Sequence, residues 1–174
     1  MKTTIIAVVG SKSSGKTTII EVLTNELTRR SYKVAAVKHI PEPNFTIDRE
    51  GKDTWRFAQS GAKTIVSVSS DEIATIEKID TTSFCLEEIL WRCGDVDLVL
   101  LEGFKKLVGK NYDILKIVTV KSAEEALEAS KTFKPILAFT GLYSIETLNL
   151  NIPCINVVKN REKIVGLVEK NVKK

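Results

Sequence analysis

Apolar and polar positions along this chain fall into two rhythms, one of period two and one of period 3.6, and the two take turns. Thr3 to Val9 is a short β-branched run and predicts a strand. Ile19, Ile20, Leu23 and Leu27 then recur at helical spacing and predict a helix from Lys16 to Arg30. Lys33 to His39 predicts a second strand, and its nearly continuous Val34-Ala35-Ala36-Val37 centre predicts cover on both faces. Ile40 to Gly51 carries two prolines and reads as a loop. Asp53 is placed to N-cap a short helix ending near Gly61. Thr64 to Ser69 and Glu72 to Ile79 read as a hairpin turned at Ser70-Asp71. Ser83 to Cys93 predicts a helix with Leu86, Ile89, Leu90 and Cys93 on one face and Gly94 as its stop. Val96 to Leu101, Ile114 to Val120, Ile136 to Phe139 and Ile155 to Val158 complete the strands. Ser122 and Glu125 form a capping-box signature, and Asn160 is placed to cap a final amphipathic helix with a solvated basic face.

Strand and helix in alternation predict an α/β fold with a mostly parallel sheet, the hairpin being a small antiparallel insert in it. No repeat, linker or low-complexity tract interrupts the pattern, so residues 1–174 are expected to form a single domain. With 43% apolar and 28% charged residues the composition is that of a globular protein, not a disordered or fibrous one. Apolar runs stay at or below six residues, too short for a membrane span, and the first one ends in a loop signal at Gly10 rather than a cleavage site, so no signal peptide is expected. Cys85, Cys93 and Cys154 are few and form no CxxC pair, which suits the reducing cytoplasm. With a single histidine they are not expected to build a closed transition-metal site. A net charge of +4 suits an anionic ligand without calling for nucleic acid.

The strongest chemical signal is Gly10-Ser11-Lys12-Ser13-Ser14-Gly15-Lys16-Thr17, which matches G-x-x-x-x-G-K-[ST] at every fixed position between a predicted strand and a predicted helix. Glycines let successive N–H groups turn inward as an anion nest, and the helix N-terminus adds partial positive charge. This predicts a P-loop NTPase three-layer sandwich, with Gly10 to Thr18 on the phosphates, Lys16 at the β- and γ-phosphates and Thr17 on Mg²⁺. Glu102 closes a core strand at the end where ligands sit in open α/β sheets, and is a candidate for Mg²⁺ or its water shell; Asp97, at the other end, reads as structural. Lys38 and His39 close the second strand at the same edge. Asp48, Lys52, Asp53 and Arg56 follow, a mix of cations and carboxylates that suits a phosphate–Mg²⁺ site, with Asp48 a further metal candidate and Lys52 and Arg56 phosphate candidates.

Taken together, Gly10 to Thr18, Lys38-His39, the Asp48-x-x-Gly51-Lys52-Asp53-Thr54-x-Arg56 segment with Gly61-Ala62, and Asp97 to Lys105 with its Glu102-Gly103-Phe104-Lys105 end resemble the MobB family of molybdopterin-guanine dinucleotide biosynthesis adapter proteins. The resemblance covers about the first 105 residues. It implies a dimeric, cytoplasmic, GTP-binding accessory protein with weak Mg²⁺-dependent GTPase activity, in which Lys16 and Glu102 serve hydrolysis. It further implies that the protein assists the nucleotidyltransferase that joins a guanosine nucleotide to molybdopterin. The histidine-rich stretch usual after Lys-His in the family is here Ile40-Pro41-Glu42-Pro43-Asn44. The guanine-reading pattern [NT]-K-x-D does not occur; Glu77-Lys78-Ile79-Asp80 comes nearest, and Thr140-Gly141 and Val158-Lys159-Asn160 are strand ends where a base could sit. GTP is thus implied by resemblance alone. Two other readings share the scaffold: a small-molecule kinase, which needs a lid with clustered arginines, and a nickel-type metallochaperone GTPase, which needs Cys or His ligands near the nucleotide, where His39 alone qualifies.

Overall fold

The alternation becomes fourteen elements in the computed structural model, which describes residues 3–141 and 151–172. In chain order they are β1 (Thr4–Gly10), α1 (Lys16–Arg29), β2 (Val34–Lys38), α2 (Asp53–Gln59), β3 (Thr64–Val68), β4 (Ile73–Glu77), α3 (Leu86–Cys93), β5 (Leu98–Glu102), α4 (Lys105–Val108), β6 (Leu115–Thr119), α5 (Ala123–Thr132), β7 (Ile136–Gly141), β8 (Cys154–Asn156) and α6 (Arg161–Glu169). They gather into two units, one formed by the chain up to His39 and from Cys85 onward, the other by Ile40–Phe84.

In the first unit six strands pair in the order β2-β5-β1-β6-β7-β8, every ladder parallel. Ile6 and Val8 of β1, Leu98 and Leu100 of β5, Ile117 of β6, Ala138 of β7 and Ile155 of β8 join one buried cluster with Ile19, Leu23 and Leu27 of α1 and Ile164, Val165 and Val168 of α6. The alternate residues Ala7, Val9, Val99, Leu101, Val118 and Phe139 are as completely buried, so the central strands are covered on both faces, as parallel sheets require. Each buried Leu, Ile or Phe side chain contributes roughly 1.5–3 kcal/mol relative to exposure. Arg30, just past α1, donates to Glu169 of α6 at 2.7 Å and also pairs with Glu162, tying the two helices together at the surface. Because all six strands run one way, Gly10, Lys38, Glu102, Thr119 and Gly141 all finish at one edge of the sheet. Among the described residues no helix is long and apolar enough to cross a membrane.

The second unit holds α2 and an antiparallel β3–β4 hairpin whose ladder pairs Val66 with Thr75 and Val68 with Ile73. The hairpin is a two-stranded sheet of its own, not an insert hydrogen-bonded into the parallel sheet.

Other expectations shift for local reasons. The strand β2 lies at the edge of its sheet and is only half-buried, so its apolar run does not signal cover on both faces. Lys52, not Asp53, occupies the N-cap of α2; the nearby carboxylate that reaches the first turn belongs to Asp48, which accepts from the Thr54 hydroxyl at 2.9 Å. The helix expected from Ser83 begins at Leu86, because Cys85 is its N-cap and the Glu88 carboxylate takes the Cys85 N–H at 2.8 Å. Ser122 caps α5 as expected, accepting from the Glu125 N–H, whereas the Glu125 carboxylate takes the N–H of Lys121 instead of completing the box. Asn160 stands at the N-cap of α6, yet its side chain makes no cap bond. The short helix α4 went unread in the sequence, being only four residues long.

Candidate functional site

The phosphate-loop motif leaves β1 in the middle of the sheet and enters α1. Two residues within it turn left-handed, Ser13 with φ 58° and Gly15 with φ 93°, and this αL geometry is what points successive N–H groups to one side of a loop. A non-glycine residue such as Ser13 in that region is a strained placement held by its surroundings. The holding contacts lie beneath the loop. Ser14 is buried, and its hydroxyl sits 2.8 Å from the Ser11 carbonyl and 2.6 Å from the hydroxyl of Thr119 at the end of β6. Thr119 in turn approaches the Val9 carbonyl at 3.1 Å, so two hydroxyl protons serve three contacts that tie loop, β1 and β6 together. Gly10 has no room for a side chain: a Cβ there would stand 2.1 Å from Thr119 Oγ1 and 2.3 Å from the Thr119 carbonyl oxygen.

On the side toward α5 the loop is braced again. Ser11 Oγ lies 3.3 Å from Glu125 Oε1, and Lys121 Nζ donates to the Lys12 carbonyl at 2.6 Å. Thr119, Lys121 and Glu125 were not singled out as site residues from sequence, since each meets the loop only in the folded chain, Thr119 through the β1–β6 ladder and Lys121 and Glu125 by side-chain contacts from the start of α5. Lys16 folds back over its own loop, donating to the Ser11 carbonyl at 2.6 Å. Partial burial, with Lys105, Lys38 and Lys121 nearby, holds its ammonium below the usual lysine range, and Glu102 opposes the shift. An ammonium held on neutral carbonyls among other cations is poised for an anion.

On the opposite side β5 ends at Glu102. Its carboxylate accepts from Thr17 Oγ1 at 3.2 Å and pairs with Lys38 Nζ at 3.2 Å, so the two sequence-predicted metal candidates of this unit, Thr17 and Glu102, are brought together. Parallel register sets this: Lys38 of β2 is the partner of Glu102. His39 donates its N–H to the Glu102 carbonyl at 2.9 Å, and its ring lies 5.1 Å from that of Phe104. Asp97 lies at the far end of the strand, where its carboxylate accepts the Lys33 N–H at 2.8 Å, a structural role. Lys12, Ser13, Ser14, Gly15, Lys16, Thr17, Lys38 and Glu102 line a cavity of about 460 Å³. Thr18 continues the first turn of α1 and is not among the lining residues.

Asp48, Lys52 and Arg56 belong to the second unit. Asp48 Oδ1 accepts from the Arg49 N–H at 2.8 Å as well as from Thr54, and Arg56 lies 3.7 Å from Asp53 one helical turn back. Asp48 and Arg56 thus have partners inside their own unit. Among the described residues no group of three or more His, Cys, Asp or Glu is arranged to hold a metal. The nearest match to a guanine-reading pattern, Glu77 to Asp80, ends β4 in this second unit; the stretch after Gly141 lies outside the described residues up to Asn151.

Residues 5–139 match the family model described as MobB, molybdopterin guanine dinucleotide synthesis protein B. The chain belongs to the MobB family. It is 34% identical over 104 residues to the molybdopterin-guanine dinucleotide biosynthesis adapter protein of Haemophilus influenzae, covering 59% of this chain and 57% of that one. It is 37% identical over 123 residues to a protein of Methanocaldococcus jannaschii provisionally given the same name, covering 69% of this chain and 48% of that one. The matched stretch therefore spans only about half the length of these curated relatives. Among solved structures, that of Bacillus subtilis MobB superposes with a TM-score of 0.78 at 25% identity, covering 98% of both chains. The fold expected from the sequence, a P-loop NTPase sandwich with a mostly parallel sheet and a small antiparallel hairpin, is the fold of these MobB structures.

Proposed function

We propose that this MobB family member is a cytoplasmic protein that binds GTP with Mg²⁺ and hydrolyses it slowly. In this role it assists the nucleotidyltransferase that attaches a guanosine nucleotide to molybdopterin. The observation that carries the nucleotide reading is the meeting of Thr17 and Glu102, 3.2 Å apart, at the mouth of a complete phosphate loop. Nothing in the folding of either element requires a hydroxyl and a carboxylate to converge there. A hydroxyl and a carboxylate are the hard oxygen ligands Mg²⁺ takes, and the ion keeps its remaining positions for water and phosphate. When bound, Mg²⁺ supplies neutralisation of the charge that builds on the phosphates. Loop N–H groups and Lys16 bind and orient the chain of phosphates in this reading.

The cavity offers binding more than turnover. Glu102 and Gly103 are followed by Phe104 and Lys105, not by a glutamine to orient an attacking water. The nucleotidyltransferase or a second protomer completes the site in this proposal. A homodimer is supported by the hairpin, where Val66, Val68 and Ile73 share one face and are 57%, 74% and 70% exposed, an apolar surface seldom left open. The base falls on the side away from Glu102, where the buried Thr140 hydroxyl at the end of β7 has no hydrogen-bond partner among the described residues. Guanine over adenine rests on the family.

The decisive measurement is the nucleotide that co-purifies with the protein, together with calorimetric titration of GTP and ATP in Mg²⁺. Preferential GTP binding and hydrolysis well below one turnover per second, rising when the nucleotidyltransferase is added, are expected. Tight ATP binding with rapid phosphate transfer to a small acceptor would replace this reading with a kinase.

A further inference from the structure

Lys38 carries a consequence the phosphate-loop motif does not contain. It ends the edge strand β2 directly beside Glu102, and its ammonium rests 3.2 Å from the carboxylate that also accepts from Thr17. In the nucleotide-binding reading above, Thr17 and Glu102 would hold the divalent cation, which would neutralise charge on the β- and γ-phosphates of a triphosphate. Lys38 therefore stands at the terminal-phosphate end of the cavity, which it lines together with the motif's own Lys12 and Lys16. Lys121, by contrast, is fastened to the Lys12 carbonyl on the α5 side of the loop. The Lys38 side chain is 56% exposed, so its pairing with Glu102 is weak and its ammonium is free to swing.

We propose that Lys38 distinguishes a nucleoside triphosphate from a diphosphate, an assignment that rests on the nucleotide-binding reading above. Without ligand, Lys38 neutralises Glu102. With a divalent cation held by Thr17 and Glu102, the carboxylate would be drawn from Lys38, and a γ-phosphate oxygen would take its place beside the ammonium. A diphosphate ends short of Lys38 and offers no replacement, so the ion pair with Glu102 has to be given up uncompensated or kept at the expense of the metal. Lys38 thus acts as a specificity residue that couples the third phosphate to metal engagement at Glu102.

The test is calorimetric titration of the full chain with Mg²⁺ and either GDP or a non-hydrolysable GTP analogue, for wild type, Lys38→Met and Lys38→Arg. Lys38→Met is expected to weaken the triphosphate analogue about tenfold and GDP by less than about twofold, removing the preference. Lys38→Arg, which keeps the charge, is expected to keep the preference. Equal losses for both nucleotides, no loss for the analogue, or a Lys38→Arg variant as impaired as Lys38→Met would overturn the assignment. Wild-type protein that binds neither nucleotide would instead remove the underlying nucleotide reading, and the role of Lys38 with it.

Discussion

At the scale of single residues, function depends on which charges the fold leaves at the sheet edge. Lys16 already lies over the loop with its ammonium on neutral carbonyls, so a phosphate is a better partner than any it now has. Removing it in Lys16→Ala forfeits a charge-assisted contact of roughly 1.5–3 kcal/mol, about 10- to 100-fold in triphosphate affinity. The fold is expected to survive, since the side chain is only partly buried. Calorimetry reads the affinity, and circular dichroism checks the fold; unchanged affinity would refute the loop's assignment. Glu102, which ends β5, and Asp97, which precedes it, make a second contrast. Glu102→Gln is expected to cut Mg²⁺-dependent hydrolysis by about 10- to 100-fold while nucleotide still binds. Asp97→Asn, at the opposite end and bonded to the Lys33 N–H, is expected to leave hydrolysis intact, because an amide oxygen still accepts that bond. A larger loss of hydrolysis from Asp97→Asn than from Glu102→Gln would contradict the placement of the site. What was legible at this scale in the sequence is position: the loop between β1 and α1 with Lys16 and Thr17 in its motif, and Glu102 rather than Asp97 at the loop's end of β5. The neighbours that seat the loop, Thr119, Lys121 and Glu125, were not, since more than a hundred residues of chain separate each from its loop partner.

At the scale of elements, the junction of β1 with its loop leaves no space for a side chain. Gly10 pairs with Thr119 in the β1–β6 ladder, and both the side chain and the carbonyl of Thr119 occupy the space a Cβ would need. The carbonyl belongs to a buried strand and cannot move without disturbing its ladder. Gly10→Ala is thus expected to destabilise the protein by roughly 1–3 kcal/mol or more, the usual range for overpacking. Differential scanning calorimetry should show a melting temperature lower by about 3–10 °C. A melting temperature equal to that of the wild type would mean that the loop and β6 are not seated together as described. The same scale shows where pattern reading falls short. Val34 to Val37 has the apolar run of a central strand, but β2 has a neighbour on one side only. Apolar composition reports what a strand tolerates, not how many partners the fold supplies.

At the scale of the whole molecule, one buried cation sets a pH dependence. Lys116 lies on β6, wholly buried, with its ammonium donating to the carbonyls of Asn111 and Lys134 and, among the described residues, no carboxylate bonded to it. Burial pushes its pKa down to about 8, from 10.5. The folded state therefore binds this proton less tightly than the unfolded chain does. Below pH 8 both states hold it, and the native state carries the full cost of a buried charge. Between pH 8 and 10.5 the unfolded chain still holds the proton and the native state has released it, so stability from this group rises with pH and then levels off. Denaturant unfolding of wild type and Lys116→Met across pH 7 to 10.5 isolates the effect. The difference should move in favour of wild type by about 2–3 kcal/mol over that span, at ~1.4 kcal/mol per pH unit. A difference independent of pH would show that Lys116 is not buried as a cation.

What the sequence determined by itself is what short-range chemistry controls. The order of strands and helices follows from the spacing of apolar residues along a few turns or pleats. The phosphate loop follows from glycines and a Lys-Thr pair within eight consecutive residues. What tertiary structure decided is everything that depends on which strands become neighbours. Strand order β2-β5-β1 places Lys38 on Glu102, and β1-β6 places Thr119 beneath Ser14. The burial of Lys116 and the gathering of Ile40–Phe84 into a unit of their own arise the same way. Pairing energy in a parallel sheet is nearly the same for any two β-branched strands, so strand order is chosen by the packing of the whole core, which no local stretch of sequence records.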